Sequence, residues 1–266
     1  MEALQKKALP NTLGGEKISP LEFEKIFLEF LQSQTIIKIN KNNKPYKAKL
    51  WTLKQAKLLS GGGITKQNKK MPFYNYDLSA WDCQTGGKLR KKENSVCSVC
   101  YAMKGNYLRY KNGSVGTSHK RHLKSLENGF EWSISMAYQV LHYKTKYFRF
   151  HASGDLQSVN HAKQIINLAR MTPTTKYWIP TRELGFIKAL KDQNIVIPKN
   201  CIFRVSAPMV DGKLRRDKFN HTSSVISSES KKGKSIICGA YKQGGQCLKC
   251  RACWSSKIKD ISYLQH

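Results

Sequence analysis

From Met71 onward the sequence repeats one order, an apolar strand, a polar loop and a helix with one apolar face, and that order leaves few folds open. Phe73–Leu78, Lys146–His151, Lys176–Pro180 and Cys201–Ser206 read as strands. Between them, Ser118–Tyr143 reads as helix interrupted near Gly129, and Leu184–Lys191 as a short helix. Ser158 is placed to cap a further helix whose Val159, Ala162, Ile165, Ile166 and Ala169 share one face. Strands joined through helices return parallel, so the expected fold is α/β, either a partial (β/α) barrel or an open parallel sheet. In such folds ligands sit at the carboxyl ends of the strands. The segments Cys83–Cys100, Ser153-Gly154-Asp155, Thr181-Arg182-Glu183 and Ser206-Ala207-Pro208 are all expected to gather there.

The chain divides into three parts by pattern. Residues 1–70 read as a small N-terminal α+β unit. Ser19-Pro20-Leu21-Glu22 has the form of a capping box with proline at the first helical position, and Leu21, Ile26, Phe27, Phe30 and Leu31 give the helix an apolar face ending near Gln34. Thr35–Ile39 and Tyr46–Trp51 alternate like two strands about a turn, and a second helix covers Leu53–Leu59. Ser60-Gly61-Gly62-Gly63 lacks a following Gly-Lys-Ser/Thr, so it reads as a flexible hinge rather than a phosphate loop. Residues 71–211 form the α/β core. Residues 212–266 comprise a basic, serine-rich linker over 212–237 and a cysteine-rich C-terminal tail.

Seven of the eight cysteines fall into two groups. Cys238-x8-Cys247-x2-Cys250-x2-Cys253 is the more specific, because two-residue gaps let neighbouring thiolates curl around one soft centre. Four thiolates satisfy tetrahedral zinc or an iron–sulfur cluster, and three ligands within seven residues are closer to ferredoxin-type spacing than to a zinc ribbon. Cys83, Cys97 and Cys100 offer three thiolates after the first core strand, enough for a 4Fe–4S cluster with one iron open to a small molecule such as S-adenosylmethionine. Two alternatives stay open: a zinc site completed by histidine, or one site shared by both groups. Cys201, in an apolar strand, reads as a core residue.

Arg149-Phe150-His151-Ala152-Ser153-Gly154-Asp155 closes a predicted strand. Gly154 permits close backbone approach, and His151 and Asp155 are candidates to face the site; the competing reading is a strand-to-helix turn in which Asp155 meets backbone amides. Arg182 stands at the next strand end, as an anion ligand or one member of a surface ion pair. His119 and His122 are one helical turn apart, a spacing as compatible with solvent exposure as with metal. Tyr101, Tyr107, Arg109 and Tyr110 mix aromatics with cations as single-strand binders do, or as ordinary packing does.

Lysine and arginine total 47 against 17 acids, a formal charge of +30, distributed as +9 over residues 1–70, +12 over 71–211 and +9 over 212–266. Such a field attracts nucleic acid through phosphate contacts. Lysine outnumbers arginine 37 to 10, which points to a general field rather than base reading. An acidic host protein is a further candidate partner. No apolar run approaches the ~20 residues of a membrane span, and the first residues lack a signal-peptide core, so a cytoplasmic location with reduced cysteines and no membrane partner is expected.

Met71-Pro72, Cys97-Ser-Val-Cys100-Tyr101-Ala102 with Lys104-Gly105, Phe148-Arg149-Phe150-His151 with Ser153-Gly154-Asp155, and Cys250-Arg251-Ala252-Cys253-Trp254 together resemble the phage gene product eighty-eight-like family, from about Met71 to Trp254. The resemblance implies phage or prophage origin, and hence a host cytoplasm, more than a reaction. A more distant similarity is to the radical S-adenosylmethionine barrel, in which Ser153-Gly154-Asp155 takes the place of the motif that binds the cofactor's amino group. The spacing Cys83-x13-Cys97-x2-Cys100 departs from that family's compact cysteine motif, and the chain has room for four or five strands rather than six.

Overall fold

The computed structural model describes residues 12–13, 16–17, 19–66, 70–214 and 217–265. Helix α1 (Pro20–Ser33) begins as its sequence predicts, with the Ser19 hydroxyl accepting the Glu22 N–H at 3.2 Å and Pro20 at the first helical position. Strands β1 (Thr35–Ile39) and β2 (Pro45–Lys49) pair as an antiparallel hairpin, and Thr52 caps α2 (Leu53–Leu59). Phe27, Leu31, Trp51 and Ala56 join the same apolar cluster as Trp132, Phe148 and Ile165 of the α/β part. The buried Glu24 carboxylate reaches across to accept the Thr174 N–H at 2.8 Å and its hydroxyl at 2.6 Å.

The triglycine stretch is not a hinge. Ser60 is fully buried, its hydroxyl accepts from the Gln139 amide at 2.8 Å, and the same side chain's carbonyl accepts the Ile64 N–H at 3.1 Å. A Cβ on Gly61, whose φ is +75°, would lie 2.3 Å from the Arg121 carbonyl oxygen. Glycine serves here for close packing, with no freedom left over.

The core is a seven-stranded, all-parallel sheet. Its strands are β3 (Tyr74–Asn75), β4 (Tyr147–Arg149), β5 (Lys176–Thr181), β6 (Cys201–Ser206), β7 (Thr222–Ile226), β8 (Ile236–Ile237) and β9 (Asp260–Leu264), in spatial order β8-β9-β7-β6-β5-β4-β3. The pairing runs in one line from β8 to β3, and no pairing between described strands closes it into a full barrel. Helices α3 (Gln84–Leu89), α4 (Gly105–Arg109), α5 (Ser114–Ser125), α6 (Phe130–His142), α7 (Val159–Met171) and α8 (Leu184–Asp192) lie between these strands in sequence. Gly129, at φ +58°, makes the expected break between α5 and α6.

Strands β3 to β7 are laid down side by side in one direction. Right-handed crossovers along such a series return on the same face each time, so the helices collect on one side. Phe148, Tyr177, Ile179 and Phe203 point into that side, beneath α6 and α7. Strand alternation sends Tyr147 and Trp178 to the opposite face, where they pack with Phe73 and Trp254.

Residues 212–237 are not a plain linker. They contain β7 and end with β8, and the last 30 residues add β9 between the two. The serine content that reads as loop is instead used inside the sheet: Ser206 pairs with Ser223 at 2.9 Å, Ser224 with Ser262 at 3.0 Å, and Ser235 also bonds Ser262. Buried hydroxyls that bond one another across strands lose little on leaving water. Arg204 is fully buried on β6, donating to the carbonyls of Thr222, Ile258 and Lys259 and fixing the segment before β9. No helix among the described residues is long and apolar enough to cross a membrane.

Candidate metal-binding pocket at the strand ends

The four loops expected at the carboxyl end of the sheet do meet, and hydrogen bonds tie each to the next. After β3, Asp77 accepts the N–H groups of Ala152 and Ser153 at 2.6 and 3.3 Å, and Leu78 donates to the Ser153 carbonyl at 3.0 Å. This zips the loop after β3 to the loop after β4. Gly154, at φ +89°, lies so close to Leu78 that a Cβ would stand 2.6 Å from the Leu78 Cβ. The Phe150–His151 peptide at this corner is cis. Asp155 then accepts the Arg182 N–H at 2.9 Å and the Leu156 N–H at 2.7 Å, joining the loop after β5. Glu183 accepts the Thr85 N–H and hydroxyl at 2.8 and 2.7 Å, and Val96 donates to the Pro208 carbonyl at 2.9 Å. The cysteine segment is thereby laid across the strand ends.

These loops surround a cavity of about 140 Å³ lined by Cys83, Cys97, Cys100, Arg149, His151, Ser153, Gly154, Asp155 and Arg182, together with Gly86, Arg90 and Tyr101. The structure thus brings together the first cysteine group and all five residues expected to bind a ligand, His151, Ser153, Gly154, Asp155 and Arg182. Gly86 forms the floor between two sulfurs: Cys83 Sγ and Cys97 Sγ each lie 3.7 Å from where its Cβ would be, so they stand within twice that distance of one another. Any larger residue would project between them. Burial raises the Cys83 thiol pKa well above its ordinary value, and neighbouring Asp155, Cys100 and Cys97 raise it further. Burial raises Cys97 too, opposed by the nearby Arg182 guanidinium. Two thiols that resist ionisation, with Cys100 beside them on the same cavity, form a site that a cation would relieve by displacing their protons.

The remaining wall is polar and incompletely satisfied. Nε of Arg90, Arg149 and Arg182, Nε2 of His151 and Oγ of Ser153 are buried without a hydrogen-bond partner. Orphaned polar atoms are uncommon in protein interiors, and these five all belong to residues that line one cavity. His151 Nδ1 lies 2.6 Å from the Tyr76 carbonyl and so donates to it, which leaves Nε2 as a bare acceptor. Burial holds this imidazole neutral, with its pKa down at about 3. Asp155 has a double character. Its carboxylate is spent on backbone amides, as the turn reading expects, while burial pushes its pKa up to about 6 at the cavity wall. Among the described residues no three His, Cys, Asp or Glu side chains are drawn in around the position of a single ion; what the three thiols share is a cavity.

The second cysteine group lies elsewhere, between β8 and β9. Cys238 donates its N–H to Ser262 at 2.8 Å, Cys247 to Lys70 at 3.0 Å, and Cys250 to Cys247 at 2.9 Å. Cys253 Sγ is 3.3 Å from the Tyr263 hydroxyl, and burial pushes its pKa up to about 11. Burial raises the thiols of Cys238 and Cys247 as well, with added repulsion from Cys250 on Cys238 and from Cys238 on Cys247. Trp254, beside this group, donates to the Phe148 carbonyl at 2.8 Å and stacks edge-on against Phe73 and Trp178 at 4.4 and 5.1 Å. Arg149 touches both regions: it lines the cavity, stacks over Trp178 at 4.7 Å and lowers the pKa of Cys247.

Other expectations resolve differently. Cys201 is buried in the core, as its strand suggests. His119 and His122 are also buried rather than exposed, and His122 is committed to packing, donating to the Asp77 carbonyl at 2.8 Å and stacking on Tyr76 at 4.1 Å. Sequence reasoning passed over Asp77, Gly86 and Arg90. Their only signals were an acid at the end of the first core strand and the Gly-Gly-Lys-Leu-Arg run just after Cys83. A family model described as gene product 88 matches residues 40–256, beginning well before Met71 and taking in β2 and α2. No curated protein and no solved structure matches the chain.

Proposed function

Since the chain belongs to the phage gene product 88 family, whose model spans the whole pocket, we propose that it is an iron–sulfur protein with a radical S-adenosylmethionine-like architecture. The observation that carries this reading is the meeting, around one cavity at the strand ends, of three cysteines and five residues that each keep a buried polar atom without a partner. The donor set fits such a group. Soft thiolates suit iron, three of them leave one iron open, and the Gly86 floor keeps the space between the sulfurs free. When bound there, a 4Fe–4S cluster supplies one-electron reduction of a ligand such as S-adenosylmethionine. The chain's own contribution is binding and orientation. Arg149 and Arg182 offer unpartnered N–H donors to an anionic group, Ser153 Oγ adds a donor or acceptor, and His151 Nε2 accepts a proton-bearing group without carrying charge. Asp155 holds the Arg182 backbone in place. For Cys238, Cys247, Cys250 and Cys253 we propose a structural metal, a second cluster or zinc, that fastens the segment between β8 and β9.

The test is iron, zinc and sulfide content after anaerobic purification, with a visible spectrum. Iron and sulfide near four per chain or above, with a band near ~400 nm that bleaches on reduction, are expected. Zinc alone, in a colourless protein, would sink the redox reading and leave a zinc-stapled basic binding protein.

A further inference from the structure

The mouth of the pocket carries a constellation that metal binding does not use. Residues 101–116 form a short helical turn, Tyr101–Met103, then α4 and a tight turn. Tyr101 is 59% exposed and Tyr110 45%, and neither joins an apolar cluster. Packing, which would hide these rings, does not account for them. Lys104, Arg109 and Lys111 are exposed around them, and the segment contains no acid.

This rim is held in position. A Cβ on Gly116 would stand 1.6 Å from the Lys111 carbonyl oxygen, so the turn presses directly onto the start of α5. The N–H groups of Gly113 and Gly116 both donate to the Tyr110 carbonyl, at 3.1 and 3.2 Å. The Tyr101 hydroxyl bonds the Ala152 carbonyl on the pocket wall, and Lys111 Nζ sits 4.5 Å over the Trp81 ring. Exposed aromatic faces anchored among cations, beside a cavity, match what a strand with unpaired bases offers: faces to stack and phosphates to neutralise. A duplex hides its base faces, and an acidic protein surface would use the cations but leave the rings idle.

We infer that Tyr101 and Tyr110, with Lys104, Arg109 and Lys111, form the binding surface for a single-stranded nucleic acid and lead it to the pocket. The inference rests on the reading of the pocket as a reaction site only for the strand's destination; strand binding itself needs no metal.

The experiment is fluorescence anisotropy with labelled oligo-dT and oligo-U of about 12 nucleotides, within the ~4–16 nucleotides such surfaces cover, and with the matching duplexes, at several salt concentrations. The full chain is compared with Y101A/Y110A, Y101F/Y110F and K47Q/K49Q, the last removing two cations from the β1–β2 hairpin. Single strands should bind more tightly than duplexes, the alanine pair should weaken them about tenfold, and the phenylalanine pair should stay within about twofold. The tighter of the two oligonucleotides identifies the kind of strand. An alanine pair that binds as wild type does, or a hairpin variant that loses as much as the alanine pair, would overturn the inference in favour of a diffuse charge effect. Iron and sulfide measured on the same anaerobically purified samples separate the two ideas: their absence defeats the cluster reading whatever the oligonucleotides do, and strand binding by that protein leaves the rim standing.

Discussion

The two cysteine groups share a ligand chemistry and differ in almost everything around it. Cys83, Cys97 and Cys100 open onto a cavity whose wall keeps five polar atoms without partners. Cys247 and Cys253 pack against an aromatic cluster of Phe73, Trp178 and Trp254, and Cys253 bonds Tyr263. The first arrangement leaves desolvated polar atoms without partners, a cost that the proposed ligand would offset. The second is what a clamp requires: Trp254 packs edge-on against Phe73 and Trp178 and bonds the Phe148 carbonyl, and the single orphan in that cluster is the Trp178 indole N–H. Spacing alone would have ranked the C-terminal group as the more telling of the two. Surroundings reverse that ranking for function and keep it for stability.

The contrast is sharpest where one side chain is removed. Trp254→Ala should destabilise the chain by about 3–5 kcal/mol in urea unfolding, since it deletes the centre of the aromatic cluster and orphans the Phe148 carbonyl. A loss under about 1 kcal/mol would break the clamp account. Gly154→Ala should cost about 1–3 kcal/mol, because alanine at φ +89° would press on Leu78, and ligand binding should be lost with it. Cys97→Ala should change stability by less than about 1 kcal/mol yet empty the pocket of metal, while metal in the C-terminal group stays. Metal analysis and unfolding on one preparation check this, and joint loss of both metals would mean the groups are not separate.

The smallest effect concerns pH. Burial lowers the pKa of His122 to about 4 and that of His161 well below its ordinary value. An imidazole whose pKa is depressed by folding contributes stability above about pH 6.5, and that stability is lost as pH falls toward the folded value. Buried Asp77 and Asp155 have raised pKa values and act in the opposite sense, so the difference between proteins is the useful quantity. His161→Gln should therefore lose less stability than wild type between pH 7 and pH 5, measured by urea midpoints.

Much of this was legible from residue patterns. The Ser19 cap, the break at Gly129 and the limits of β6 follow from local chemistry that tertiary structure does not contradict. The gathering of Cys83, Cys97, Cys100, His151, Ser153, Asp155 and Arg182 follows from a single rule about parallel strands. Illegible were the strands built from Thr222–Ile226 and Asp260–Leu264, because a serine in a loop and a serine paired across two strands look alike until the partner is known. The Ser60–Gly63 stretch misled for a related reason: glycine permits freedom and also permits contact, and only Arg121, far along the chain, decides which. Arg90 and Asp77 matter through what they face, which no spacing encodes.

The order of strands in the sheet bears on synthesis. β9 comes after β7 and β8 in the chain but lies between them, so β8 has no partner, and β7 has one on one side only, until Asp260–Leu264 has emerged. Until then β7 presents an unpaired edge, the kind of template on which nascent chains stick to one another. A chain that ended shortly before residue 260 would carry every residue of the pocket on an unfinished sheet, and that exposed edge is what quality control in the cell would meet first.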